Sequence, residues 1–132
     1  MNSHKGFTII ELIVVIAVIA VLSTIVLANV TDYIGKGKDA AIKEQAKQVQ
    51  TAATDFFSTN NTYTGVCGTG TQCNKAVVNV TKLGGRTSTP QNNDSAYCMY
   101  FTLSDGTSKW CIDSTGYAGS TNNCASLHYS CN

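Results

Sequence analysis

"GFTIIELIVVIAVIAVL", residues 6–22, sets one carboxylate, Glu11, inside an unbroken apolar run. From Phe7 to Ala28 the only charge is Glu11, and Thr8, Ser23 and Thr24 are the other polar members. At 1.5 Å per residue these residues form a helix about 33 Å long, matched to a hydrocarbon core of about 30 Å. The run is therefore predicted to cross a membrane once. A carboxylate there is costly unless a partner compensates it, so Glu11 is read as a functional residue. The sequence shows no counter-ion for it nearby.

Six residues precede the run, with Lys5 and His4 as their basic members. The positive-inside rule then keeps this end cytoplasmic and sends the remainder across. A cleaved secretory signal fits less well, because its apolar region is commonly about 7–15 residues and ends in a small-residue exit. This run is longer, has no Ala-x-Ala exit and carries Glu11 early.

Helical periodicity continues past the membrane segment. In "KDAAIKEQAKQVQTAATDFF", residues 38–57, Ile42, Ala46, Val49, Ala53 and Phe56 or Phe57 recur at steps of three and four, marking one apolar face. Lys43, Glu44, Lys47, Gln48 and Asp55 occupy the other. Gly35 and Gly37 lie between the two stretches, each costing about 1 kcal/mol relative to Ala in a helix interior. They mark a weak point in one continuous helix of about 50 residues.

After "STNNTY" the composition turns to Gly, Thr, Asn and Ser. "KAVVNVTKL" (75–83) and "AYCMYFTLS" (96–104) are predicted strands on their branched and aromatic content. "SDGT" then connects the second to "SKWCID" as a hairpin, since Asp-Gly suits a tight turn. A small antiparallel sheet of three or four strands would cover the apolar stripe of the helix. The fold class is α+β, organised as a leader (1–6), a membrane or filament-core helix (7–28), its amphipathic continuation (29–58) and a cysteine-rich β head (59–132).

All six cysteines, Cys67, Cys73, Cys98, Cys111, Cys124 and Cys131, lie in that head. An even set confined to a small region predicts disulfides formed in an oxidising compartment. No Cys-x-x-Cys or His-x-x-x-His spacing supports zinc, and no metal or cofactor is expected. Short loops favour Cys67 with Cys73, Cys98 with Cys111 and Cys124 with Cys131. Simple hairpin registers, however, set Cys98 opposite Ile112 or Asp113.

A net charge of +1 with 13% charged residues argues against a broad electrostatic platform for nucleic acid. "CGTGTQC" lacks the Lys-Ser/Thr ending of a phosphate loop, and His128 is the only histidine beyond the membrane segment, so no catalytic constellation assembles. Tyr97, Tyr100, Lys109, Trp110 and Tyr117 either fill the core from alternate strand positions or form an aromatic, basic surface for DNA or glycans. "NNT", "NVT" and "NDS" are formal glycosylation sequons in an Asn- and Thr-rich region.

Taken together, the short basic leader, Gly6 followed by Phe7, Glu11 as the fifth residue from that junction, and Asp32-Tyr33 resemble the N-terminus of type IV pilins, prepilins with a short class III leader, and the related pseudopilins. The resemblance covers about the first 33 residues. It implies cleavage by a prepilin peptidase between Gly6 and Phe7, N-methylation of the new Phe7 amine, and storage in the inner membrane. It further implies polymerisation with other pilin subunits into an extracellular pilus, driven by an assembly ATPase and a platform protein. The sequence departs from many bacterial pilins at Ala20 and Ala28, where those have glycine and proline.

Removal of residues 1–6 would leave a cation on Phe7 in an apolar bundle, as poorly placed as a lone carboxylate. Pairing Glu11 with the Phe7 amine of a neighbouring subunit relieves both, and an intramolecular pair is the rival. The implied role is a structural subunit of a fibre for adhesion, motility or DNA uptake. Alternatives are a pseudopilin of a type II secretion system, or a minor tip subunit that touches DNA or a host surface.

Overall fold

The computed structural model describes residues 6–121, 123–124 and 129–131; Met1–Lys5, with His4, and also His128 lie outside the described residues. The elements are α1 (Ile9–Asn60), α2 (Gln72–Lys82), β1 (Arg86–Thr87), β2 (Gln91–Asn92), β3 (Tyr97–Thr102), β4 (Lys109–Asp113) and β5 (Ala118–Gly119). The chain divides into two compact units, Met1–Ile34 and Gly35–Asn132, and α1 contributes to both.

The described part of the first unit is Gly6, Phe7, Thr8 and the apolar portion of α1, whose large apolar side chains, from Ile9 to Ile34, are exposed. Its polar members bond to their own helix. Ser23 Oγ donates to the Ile19 carbonyl, Thr24 Oγ1 to Val21, Asn29 Nδ2 to Ile25 and Thr31 Oγ1 to Leu27. Such back-bonding satisfies hydroxyls and amides without water, which is what residence in hydrocarbon demands.

In the second unit Ile42, Ala46, Val49 and Ala53 of α1 are fully buried, the stripe the periodicity marks, with Phe56 and Phe57 half-buried at its end. Tyr97, Met99 and Phe101 of β3, with Ile112 of β4, face this stripe, and Cys73, Ala76 and Val80 of α2 close one side. Helical pairing runs through Gly35 and Gly37. The β3–β4 turn is fastened there: Asp39 Oδ1 accepts from the Ser104 N–H at 2.8 Å, and Ser104 Oγ donates to the Gly35 carbonyl at 3.2 Å.

Residues 75–83 are not a strand. They lie in α2 and its C-cap, because tertiary spacing overrides the β preference of three valines. Thr71 Oγ1 caps the helix by accepting from the Asn74 N–H, and buried Cys73, Ala76 and Val80 recur at helical intervals. After Leu83 the chain leaves through Gly84 at φ +90° and then Gly85.

The sheet is antiparallel, in the order β1-β3-β4-β5, with β2 also pairing β3. β1 and β2 form one edge broken around Pro90, whose missing N–H cannot join a ladder. Ser88 bridges the gap, its N–H donating to the Tyr100 carbonyl and its Oγ accepting from the Tyr100 N–H. The predicted hairpin forms between β3 and β4, in a register that sets Cys98 opposite Asp113 and Tyr100 opposite Cys111.

That register overturns two of the expected disulfides. Cys98 and Cys111 share a face but stand diagonally, a relation that separates side chains by about 7–8 Å, too far for a disulfide. The bonds formed are Cys67–Cys73, Cys98–Cys124 and Cys111–Cys131, with Cα separations of 4.9, 5.7 and 5.9 Å. Neither Cys98–Cys111 nor Cys124–Cys131 exists, because each tail cysteine is taken by a strand. Cys98, Cys111, Cys124 and Cys131 make a second buried cluster, flanked by Tyr100 and Tyr117.

Candidate functional site: the N-terminal assembly motif

Gly6, Phe7 and Thr8 precede the first helical residue, Ile9, so Thr8 is the N-cap and Glu11 the third residue of the helix. Thr and Glu at this spacing form a capping box. Glu11 Oε2 accepts from the Thr8 N–H at 2.9 Å and from Thr8 Oγ1 at 2.8 Å, while Thr8 Oγ1 accepts from the Glu11 N–H at 3.3 Å. Glu11 thus has a local partner that is not a counter-ion, and the Thr-x-x-Glu spacing is its sequence signal. Threonine is neutral, so these bonds orient the carboxylate and leave its charge to be balanced. Phe7, 82% exposed, sits one residue before the box, and the Gly6–Phe7 peptide is outside the helix.

The family described as the prokaryotic N-terminal methylation motif matches residues 1–27. Over 60 residues the chain is 35% identical to the type IV major pilin protein PilA of Myxococcus xanthus, covering 46% of this chain and 27% of that one. Over 52 residues it is 42% identical to the type IV major alpha-pilin of Moraxella bovis, covering 39% and 33% respectively. The N-terminal segment is thus similar to that of type IV pilins.

The chain spans about a third or less of the length of these curated relatives. The C-terminal head has features of its own. Its five aromatic and basic candidates do not form one surface. Tyr97 is buried in the core, its ring tilted at 52° against that of Tyr63, which in turn stacks on Phe57. Burial pushes the Tyr97 hydroxyl well above its ordinary range, with Tyr63 and Asp113 adding to the effect, and the hydroxyl has no partner among the described residues. Trp110 packs against the same core, with Lys43 of α1 at 4.6 Å over its ring. Tyr100 and Tyr117 instead flank the cystines, with Lys109 at 4.5 Å over Tyr100.

Asp113, fully buried at the end of β4, is a polar residue that reading by motif missed. Its Oδ1 accepts from the Thr115 N–H (2.9 Å), Thr115 Oγ1 (2.6 Å) and the Tyr117 N–H (3.2 Å). Its Oδ2 accepts from the Cys131 N–H at 2.8 Å and from Ser130 Oγ at 3.4 Å. Burial pushes this carboxyl up, but the donors from Cys131, Thr115 and Tyr117 together outweigh it and hold the group below its ordinary value. Gln50 of α1 ties the same corner to the helix, its Nε2 donating to the Asp113 and Tyr117 carbonyls.

"CGTGTQC" is a stapled loop that carries the α2 cap rather than a phosphate cradle. The three sequons differ in setting. Asn60 ends α1, Asn79 lies within α2, and Asn93 accepts from the Ser95 and Ala96 N–H groups in a turn. No cluster of three or more metal-binding side chains occurs among the described residues.

Proposed function

We propose that this chain is a structural pilin subunit, cut between Gly6 and Phe7 by a prepilin peptidase, methylated on the Phe7 amine, and polymerised into a type IV pilus. Before assembly the apolar part of α1 rests in the inner membrane with the head outside the cytoplasm. After assembly the same surface packs against other subunits, so protein replaces lipid around side chains that have no intramolecular cover. An assembly ATPase and a platform protein would supply the work of extraction.

The observation that carries this reading is the placement of the Thr8–Glu11 box one residue beyond the Gly6–Phe7 junction. Cleavage there removes the leader without breaking any bond of the box. It also creates a cation four residues from an oriented carboxylate. Two isolated charges in hydrocarbon are each costly, and their pairing between neighbouring subunits relieves both. Removing one member of a buried pair commonly costs about 3–5 kcal/mol, whereas the intact pair adds little net stability, so its use is to set register.

N-terminal sequencing with intact-mass measurement of protein from sheared surface fibres tests the processing. A start at N-methylated Phe7 is expected. A start at Met1, or a cut beyond Ala28, would remove the basis of the reading.

A further inference from the structure

The four cysteines of the outer cluster face a choice that chain length does not make. Cys98 and Cys111 lie diagonally on one face of the hairpin, and both Cys124 and Cys131 reach that face. A crossed arrangement, Cys98 with Cys131 and Cys111 with Cys124, closes loops of comparable combined entropy to the arrangement observed. Loop entropy alone would favour the short loop between Cys124 and Cys131 over either. Something local must therefore discriminate.

Asp113 is the fully buried charged side chain among the described residues, and it stands in the middle of this set. It is directly opposite Cys98 and two positions along β4 from Cys111, on the same face. One carboxylate oxygen is fixed by its own turn through Thr115 and Tyr117, so the other is held toward the tail. That second oxygen grips the Cys131 N–H at 2.8 Å.

We propose that Asp113 is a positioning residue that selects the disulfide pattern, holding the backbone of Cys131 so that its sulfur meets Cys111 and leaves Cys98 to Cys124. Each bond forms when two thiols surrender two protons and two electrons to a disulfide oxidant, which departs as a dithiol. Asp113 takes no part in that exchange. It fixes which thiol attacks which mixed disulfide, by retaining one end of the tail on β4 while the oxidant is displaced.

The test is cystine mapping, by peptide mass from unreduced full-length chains, in Asp113→Asn and Thr115→Ala variants made in an oxidising compartment. Asp113→Asn keeps the shape but can turn an N–H₂ toward the Cys131 N–H. The ratio of the observed pairing to all other pairings among these four cysteines is expected to fall at least tenfold. Crossed bonds or Cys124–Cys131 should appear in its place, while Cys67–Cys73 stays intact. Thr115→Ala, which removes only a hydroxyl donor to the opposite oxygen, should keep the parent pattern. The proposal is overturned if Asp113→Asn retains the parent pattern, or if Thr115→Ala scrambles equally. It is also overturned if scrambling extends to Cys67–Cys73, since that would signal general misfolding. Because pairing is read from peptides, a poorly folded variant still returns one of these outcomes.

Discussion

Gly85→Ala should destabilise the head through lack of space, and the adjacent Gly84 provides the contrast. A Cβ on Gly85 would stand 2.8 Å from Val80 Cγ1, 2.9 Å from Ile42 Cδ1 and 3.1 Å from the Thr102 carbonyl oxygen. Two of these atoms belong to fully buried side chains on different helices, and the third is strand backbone. Overpacking of this kind costs about 1–3 kcal/mol. Loss of unfolded-state entropy at the glycine returns about 0.4–1 kcal/mol, so a net loss of about 1–2 kcal/mol is expected. In a unit of this size each kcal/mol moves Tm by roughly 4–8 °C. Gly84 has open space around its Cβ position but φ +90°, so Gly84→Ala costs conformational strain without a clash. Val80→Ala should therefore reduce the penalty of Gly85→Ala and leave that of Gly84→Ala unchanged. Thermal unfolding of the detergent-solubilised full-length parent, the three single variants and the two doubles with Val80→Ala, followed by circular dichroism, measures all six proteins. If Gly85→Ala matches the parent, or if Val80→Ala gives both glycine substitutions the same relief, the packing argument fails.

Glu11→Gln keeps an acceptor for Thr8 but removes the charge, so membrane insertion should persist while the yield of sheared fibres collapses; membrane fractionation and fibre quantitation check the two halves separately. Asp105 gives a pH prediction. The Ser108 side chain, then the Thr107 and Ser108 N–H groups, hold its carboxyl at about 2. Its folded value lies below its unfolded one, so the contribution is complete above about pH 4 and is lost as pH falls through about 2. Acid unfolding of Asp105→Asn should accordingly show a shallower loss of stability across that window. Gly37→Ala meets nothing within 4 Å, so it should raise stability by up to about 1 kcal/mol in urea unfolding.

Periodicity made the long helix legible, because Ile42, Ala46, Val49 and Ala53 repeat with the pitch of a helix and nothing in the fold competes with them. The hairpin was legible for a similar reason, since Asp105-Gly106 fixes a turn and hence a neighbour. α2 was not, because its valines favour extended chain when judged singly. Its real signals, the Thr71 cap and the exit at Gly84, are single residues at the edges. The disulfides were misjudged beyond the first loop for a geometric reason. Loop length ranks pairs by entropy, whereas a one-step register places Cys98 against Asp113 and sends both strand cysteines to the tail. Glu11 stands out as a charge in an apolar run, but opposite charge does not lead to its Thr8 partner, because the first need of a helix terminus is to satisfy N–H groups.

The relation between Glu11 and the amine of Phe7 is settled most directly by a high-resolution density map of the assembled fibre. The Glu11 carboxylate should lie within about 4 Å of the Phe7 nitrogen of an adjacent subunit, with Thr8 of its own helix still on the same carboxylate. A carboxylate facing water, or one distant from every Phe7 nitrogen, would contradict the account.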